Sequence, residues 1–382
     1  MIRFFRLYNF KCFEDRSFVL GPLTLLSGLN GMGKSSLLQA LLLLRQSFQQ
    51  ELLPSTGLAL NGDLVHIGTA QDALFQGAKE EIIAFEMALE DGTEAKWRFN
   101  YNREADVMDI DIPSPINDIF KFSLFNDNFH YLTAERIGPR TSFGISDFQV
   151  RRHRQIGTRG EYAEYFLSVF GDKITVNDRL LHPHEESPSL HSQVEAWMGE
   201  VSPGTRIRLD PHPYLDVVNL QYSFKPEVTN WFRSTNVGFG ITYTLPLLVA
   251  LLSSAPGSLL LFENPEAHLH PKGQVQMGEL IARAASCGIQ TIVETHSDHV
   301  LNGIRLAVYR GLIDPDKVQL HFFERRKQDG QSQNSVISPS QISVVSPKID
   351  RNGRIDCWPD GFFDLWDKCL EALLEPKDQK EF

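Results

Sequence analysis

Apolar residues recur along this chain in two registers, and the change between them marks its elements. Residues 2–10, Ile-Arg-Phe-Phe-Arg-Leu-Tyr-Asn-Phe, mix apolar and basic positions as a strand does; 17–20 and 22–26 predict two more. The leucine-rich run 37–44 predicts a helix, and 61–75 a loop with a short helix. Residues 82–90 and 93–100 flank Asp91-Gly92, the pattern of a β-hairpin; 107–112 adds a strand and 113–117 a turn.

Beyond residue 129 the spacing lengthens. A short apolar strand at 129–132 precedes a helical stretch at 161–170 and a polar loop at 172–189, which holds Pro183 and Pro188. Residues 190–200 set Val194, Trp197 and Met198 on one helix face, and strands are expected at 206–209 and 216–224. An apolar helix follows at 245–252, then a buried strand, 258–263, that ends in a carboxylate. A helix opening at Pro271 carries Val275, Met277, Leu280, Ile281 and Ala284. Strand 289–293 leads to Ser297, the expected cap of a helix with Val300, Leu301, Ile304, Ala307 and Val308. The tail reads as a strand at 318–323, a polar linker at 325–334, and a hairpin built from 342–345 and the turn at Asn352-Gly353, with Pro347 against it.

Composition narrows the function classes. The chain has 382 residues, 42% hydrophobic and 22% charged, enough for one large domain or two to three ordinary ones. A net charge of −11 argues against a general nucleic-acid coat, though not against a local basic groove. Cys12, Cys287, Cys357 and Cys369 form no C-x-x-C pair, so neither a zinc site nor a disulfide framework is expected. Arg3, Arg6 and Lys11 leave no signal-peptide core, and no run reaches the ~18 apolar residues of a membrane span. The expectation is a soluble, cytoplasmic protein.

Two stretches carry candidate chemistry. Between strand 22–26 and helix 37–44 lies Gly28-Leu29-Asn30-Gly31-Met32-Gly33-Lys34-Ser35-Ser36, a G-x-x-x-x-G-K-S phosphate loop in its required setting. Its glycines allow positive φ, so the backbone around Asn30, Gly31, Gly33, Lys34, Ser35 and Ser36 can turn N–H groups toward phosphate. Lys34 is placed to reach the β- and γ-phosphates, and the Ser35 hydroxyl to bind Mg²⁺. The second stretch holds Arg136, Arg140, Arg151, Arg152, Arg154 and Arg159, interrupted by one acidic residue, Asp147. Planar guanidinium forks suit phosphate, so nucleic acid or nucleotide could sit there, with Arg136 and Arg140 foremost; the alternative is a solvated loop paired with acidic groups elsewhere.

N-F-K-C-F at 9–13, followed by P-L-T-L-L-S-G-x-N-G-x-G-K-S-S-L-L at 22–38, resembles the opening of the RecF/SMC branch of ABC-type P-loop ATPases. E-N-P-E-A-H-L-H-P at 263–271 resembles the OLD-related members, and W-P-x-G-F-F-D at 358–364 the end of a group of bacterial AAA-labelled ATPases. The resemblance implies an α/β fold: a mainly parallel sheet flanked by helices, with an N-terminal antiparallel β subdomain and a helical/β insertion. The expected division is 1–175 for the first half of the nucleotide domain, 176–225 for the insertion, 226–312 for the second half and 313–382 for a C-terminal region.

It also implies roles. Gln71 is the candidate Q-loop glutamine touching Mg²⁺ and the attacking water, unless it is merely an exposed loop residue. Gly238 and Gly240 resemble the signature loop that meets the γ-phosphate held by a second protomer. Glu263 is the Walker B acid for Mg²⁺, and His296, in Thr-His-Ser, the switch histidine on the γ-phosphate. His268 and His270 fit the D-loop at a dimer seam better than a metal site. One departure stands out: the position after Glu263, usually a glutamate general base, is Asn264, which cannot accept a proton. Either Glu266 substitutes, or Asn264 positions water, or hydrolysis is slow. Asp314-Pro315-Asp316 reads as a turn, and no nuclease centre is visible. The implied activity is an ATPase using ATP and Mg²⁺. It would close as a homodimer or higher oligomer and act in DNA repair or in defence against phage and plasmids, through a separately encoded effector such as a nuclease. The alternative is a slow or non-hydrolysing ATP-dependent switch; an ABC transporter subunit fits poorly.

Overall fold

A computed structural model describes residues 1–112, 117–224, 227–325 and 342–374. Most of the turn expected at 113–117 and of the linker expected at 325–334 lies outside the described residues.

The first half supplies β1 (Ile2–Phe10), β2 (Phe13–Val19), β3 (Leu23–Gly28), α1 (Lys34–Gln49), β4 (Gly57–Ala59), α2 (Ala70–Ala73), β5 (Ile82–Leu89), β6 (Glu94–Asn100), β7 (Val107–Ile112) and β8 (Phe129–Leu132). Next come β9 (Phe143–Gly144), α3 (Ala163–Phe170), α4 (Leu190–Val201), β10 (Thr205–His212), β11 (Val217–Phe224), β12 (Glu227–Arg233) and α5 (Phe239–Ser253). The chain continues through β13 (Leu259–Glu263), α6 (Pro271–Ser286), β14 (Gln290–Glu294), α7 (Asp298–Tyr309), β15 (Val318–Arg325), β16 (Ile342–Val345) and α8 (Leu365–Leu374).

The described residues form three sheets. The central one runs β16-β15-β3-β14-β13-β8, parallel except for β16. A six-stranded sheet, β2-β1-β5-β6-β7-β4, is antiparallel throughout, and a small antiparallel sheet joins β10, β11 and β12, with β9 against β11. Strands of the central sheet are covered on both faces, which is why they read as unbroken apolar runs. Their side chains alternate faces. Leu25, Leu260, Phe262 and Val293 enter one core with α3 to α7, while Leu26, Leu259, Leu261 and Ile292 enter another with α1 and the antiparallel sheet. Gln290 joins the sheets: its amide donates to the Ile2 and Gly21 carbonyls and accepts from the Ile2 N–H at 2.8 Å.

Several elements differ from expectation. Helix α5 begins at Phe239, not near 245, and runs through Pro246. The Pro246 ring packs against Gly160, where a Cβ would come within 2.3 Å of it, so tertiary contact compensates for the missing N–H. Residues 342–345 pair with β15 instead of forming a hairpin across Asn352-Gly353, which closes only a single Ile349–Ile355 bridge. Pro347 ends that strand by removing a donor. The short strands β4 and β9 and the polar strand β12 carry no clear periodic signal. Among the described residues no helix is long and apolar enough to cross a membrane.

One buried group makes the fold sensitive to pH. Glu164 on α3 is fully buried, and neither carboxyl oxygen meets a donor among the described residues. Burial pushes its pKa from an ordinary 4.5 to about 8. Between these values the folded chain keeps a proton that the unfolded chain releases, so stability falls as pH rises through this window and levels off above it. Glu164→Gln, a neutral isostere, should flatten the urea midpoint between pH 5 and 8.5 and stabilise the protein most at the alkaline end, by a few kcal/mol. Parallel pH profiles for the two proteins would refute this.

Candidate functional site

The phosphate loop links β3 to α1. Gly28 has φ 134°, and a Cβ there would lie 2.2 Å from the Phe323 carbonyl oxygen of β15. Gly33 caps α1 in the left-handed region, φ 92°, with Cys12 Sγ 2.4 Å from where a Cβ would stand. Glycine is demanded at both positions by conformation and by space. Asn30 and Gly31 are exposed, Ser35 is half-buried, and Ser36 is buried. Lys34 is only 3% exposed; its ammonium donates to the Gly28 and Leu29 carbonyls, both at 2.9 Å. Burial lowers its pKa, with Glu294 acting in the opposite direction.

β14 lies between β3 and β13, so three parallel strands deliver the phosphate loop, Glu294 and Glu263 to one edge of the sheet. Such an edge is where α/β folds collect ligands. Glu263 accepts from the Tyr131 hydroxyl at 3.0 Å, the Ala134 N–H at 3.1 Å and the Thr133 hydroxyl at 3.5 Å. Glu294 accepts from the Ser35 hydroxyl at 3.1 Å, and its other oxygen lies 3.9 Å from Lys34 Nζ. Burial raises the Glu294 pKa against the pull of Lys34. Glu294 was absent from the expected site. The signal available was the carboxylate that closes the apolar run 289–293, as Glu263 closes 258–262 on the adjacent strand.

The turn after β13 is tightly held. Asn264 adopts φ 45° and donates its N–H to the Glu294 carbonyl at 2.8 Å. Asparagine tolerates this left-handed conformation better than most residues, a structural reason for its presence where a glutamate was expected. Glu266 accepts from the His296 N–H at 2.8 Å and from the Thr295 hydroxyl at 2.7 Å, tying the two post-strand loops together. The His296 ring is exposed; partial burial of its base and the charge of Lys34 lower its pKa, favouring the neutral imidazole. His270 caps α6, its Nδ1 accepting from the Lys272 N–H.

Gly238 caps α5, and Gly240 lies so close to the His268 carbonyl that a Cβ would stand 2.5 Å from it. Gly238, Gly240, His268 and His270 line one open cavity of about 540 Å³, with the Phe239 ring exposed nearby. The signature-like loop thus packs on the turn after β13.

One expectation needs correction. Arg136 cannot meet nucleic acid: it is 1% exposed and donates to the carbonyls of Thr133, Glu263 and Asn264, at 3.2, 2.8 and 2.6 Å. A guanidinium fork matches converging carbonyls as well as it matches phosphate. Most of the other arginines are exposed and locally engaged, Arg151 with Asp147, Arg154 over the Phe170 ring and Arg159 with Glu135, while Arg140 and Arg152 face solvent. Gln71, on α2, is exposed with its Oε1 accepting from Arg103 at 3.1 Å, in keeping with the second of its two readings, an exposed polar residue.

Residues 23–302 match the family described as "AAA domain, putative AbiEii toxin, Type IV TA system". Residues 313–373 match "Protein of unknown function (DUF3696)". No curated protein matches in sequence. Among solved structures, an Smc head bound to the C-winged helix domain of ScpA is similar at TM-score 0.52 and 16% identity, over 92% of this chain and 98% of that one. An Smc head from Pyrococcus furiosus with an extended coiled coil, bound to the C-terminal domain of ScpA, gives 0.50 and 13%, over 98% and 99%. A Pyrococcus yayanosii Smc head with coiled coil and joint gives 0.51 and 11%, over 97% and 99%. At these identities the likeness is one of fold. The match over 23–302, well over half of the chain, places it in this AAA-domain family, and the Smc-head likeness with a phosphate loop at the sheet edge shows an ABC-type P-loop fold.

Proposed function

We propose that the protein binds ATP with Mg²⁺ at the Gly28–Ser36 loop, closes as a dimer around it, and turns it over slowly. The observation that carries this reading is the convergence of Lys34, Ser35, Glu263, Glu294 and the Glu266–His296 link at one sheet edge. The donor set fits the group: hydroxyl and carboxylate oxygens suit a hard divalent cation, and a buried ammonium with glycine-turned N–H groups suits polyphosphate. Bound with ATP, Mg²⁺ offsets the charge of the β- and γ-phosphates. Lys34 would exchange its loop carbonyls for phosphate oxygens, Ser35 and Glu263 would face the cation, and Glu266 or Asn264 would orient water. His296 would donate to the γ-phosphate, and Gly238 and Gly240 of a second copy would supply N–H groups from the other side. The exposed Phe239 and Leu29 offer apolar contact for that closure. The output we assign is a DNA-related one, repair or defence against phage and plasmids, through a separately encoded effector such as a nuclease. The Smc heads that bind ScpA domains are a precedent for a protein partner on this fold.

A second reading, an ATP-held switch without useful hydrolysis, is favoured by Asn264 and by Glu266 having both oxygens occupied. Turnover and light scattering separate the two. Under the first, the wild type hydrolyses ATP and Glu266→Gln loses about 100-fold, the scale of a general base. Turnover at background with ATP-dependent dimerisation selects the second. A protein that stays monomeric in ATP and hydrolyses none overturns both. A permease gene beside this one, in place of a nuclease gene, would overturn the DNA-related output.

A further inference from the structure

The two carboxylates at the sheet edge are not equivalent. Glu263, the acid that the motif singles out, has both oxygens committed to protein donors: Tyr131 on one, Ala134 and Thr133 on the other. Glu294 is buried, and its contacts are with the phosphate loop itself, at Ser35 Oγ and near Lys34 Nζ. The β13–β14 register sets the two acids side by side, and the β14–β3 register sets Glu294 beside Leu26, two residues before the loop's first glycine.

The Ser35–Glu294 distance is informative. Mg²⁺ holds oxygen ligands at about 2.0–2.1 Å in an octahedron, so neighbouring ligands lie roughly 2.9 Å apart. Ser35 Oγ and Glu294 Oε2 are 3.1 Å apart, with little rearrangement needed to share one cation or one of its waters. Among the described residues no hydrogen bond joins Glu263 to Ser35. Among the described residues no three His, Cys, Asp or Glu side chains gather as a metal site. A cation here would therefore take its remaining ligands from phosphate and water, as Mg²⁺ does in nucleotide sites.

We infer that Glu294 is a metal-positioning residue: its carboxylate, adjacent to the Ser35 hydroxyl, holds Mg²⁺ or its coordinated water when ATP is bound. Glu263, oriented by Tyr131, then acts beside it. The inference rests on the ATP·Mg²⁺ reading above.

The test is affinity for a fluorescent, non-hydrolysable ATP analogue, measured with Mg²⁺ and with EDTA, in wild type, Glu294→Gln and Glu294→Asp. The wild type should bind more tightly with Mg²⁺. Glu294→Gln should lose about 10- to 100-fold of that gain. Its EDTA affinity should hold or improve, because a negative charge beside the phosphates is gone. Glu294→Asp, which keeps the charge but withdraws it by one methylene, should lose an intermediate share and stands in if the glutamine variant fails to fold. A full Mg²⁺ gain in both variants overturns the inference alone. No binding by the wild type in either condition overturns the ATP reading and this inference with it.

Discussion

Replacing Lys34 with alanine should weaken ATP binding by about 100-fold while leaving the fold nearly intact. The lysine is pre-set for the task. Its ammonium is buried at the head of α1, held by the Gly28 and Leu29 carbonyls at 2.9 Å and facing Glu294 at 3.9 Å. Those carbonyls belong to the loop that would wrap the phosphates, so a small shift carries Nζ to phosphate oxygen. Charge-assisted hydrogen bonds contribute about 1.5–3 kcal/mol each, and 1.4 kcal/mol is a factor of ten. Exchanging two carbonyl partners for phosphate reduces the net gain, which brings the expected loss to roughly 3 kcal/mol. The variant should fold because Leu29 is exposed and water can reach the released carbonyls. Lys34→Arg should not restore binding, since the site encloses the side chain and a guanidinium is bulkier. Titration calorimetry beside thermal melts decides the matter. Affinity within threefold of wild type would remove Lys34 from the phosphate site.

The parts of this architecture visible in the sequence are those whose physics is local. The phosphate loop needs glycines at fixed offsets between a strand and a helix, and all of that lies in one continuous stretch, β3 to α1. β3, β13 and β14 announce themselves because strands covered on both faces must be apolar throughout. The parts not visible there depend on distant partners. Arg136 reads as a phosphate ligand because its neighbours are basic; two of its three carbonyl partners lie more than a hundred residues away. Glu294 passed as a strand terminus until the sheet order set it beside Ser35. β15 joins the central sheet next to β3, a pairing across nearly three hundred residues that no periodicity encodes. Asn264 is the instructive middle case. Its chemistry, the loss of a general base, was plain from the residue type, but its left-handed backbone needed the fold.

That backbone makes Arg136 the position of greatest structural consequence. Its fork reaches the carbonyls of Thr133, Glu263 and Asn264, so one buried cation clamps the chain after β8 to the turn that carries the proposed metal and water residues. Burial lowers its pKa to about 10, and it stays charged at neutral pH. The Tyr243 ring lies 5.4 Å from the guanidinium carbon and joins α5 to the same clamp. Arg136→Ala would leave three acceptors short of a donor and a cavity behind them, a cost of about 3–5 kcal/mol. Arg136→Met fills most of the volume but supplies no donor, and should recover only the packing share. Arg136→Lys keeps the charge and three donors but gathers them on one nitrogen, losing the spread of the fork whose two terminal nitrogens reach the Glu263 and Asn264 carbonyls separately, and should remain at least ~1 kcal/mol short. Urea unfolding of the three variants orders them, with alanine least stable. ATP turnover should fall further in Arg136→Lys than its stability loss explains, because Asn264 and Glu266 are aimed through this turn. If the lysine variant keeps wild-type stability and turnover, the clamp has no such role.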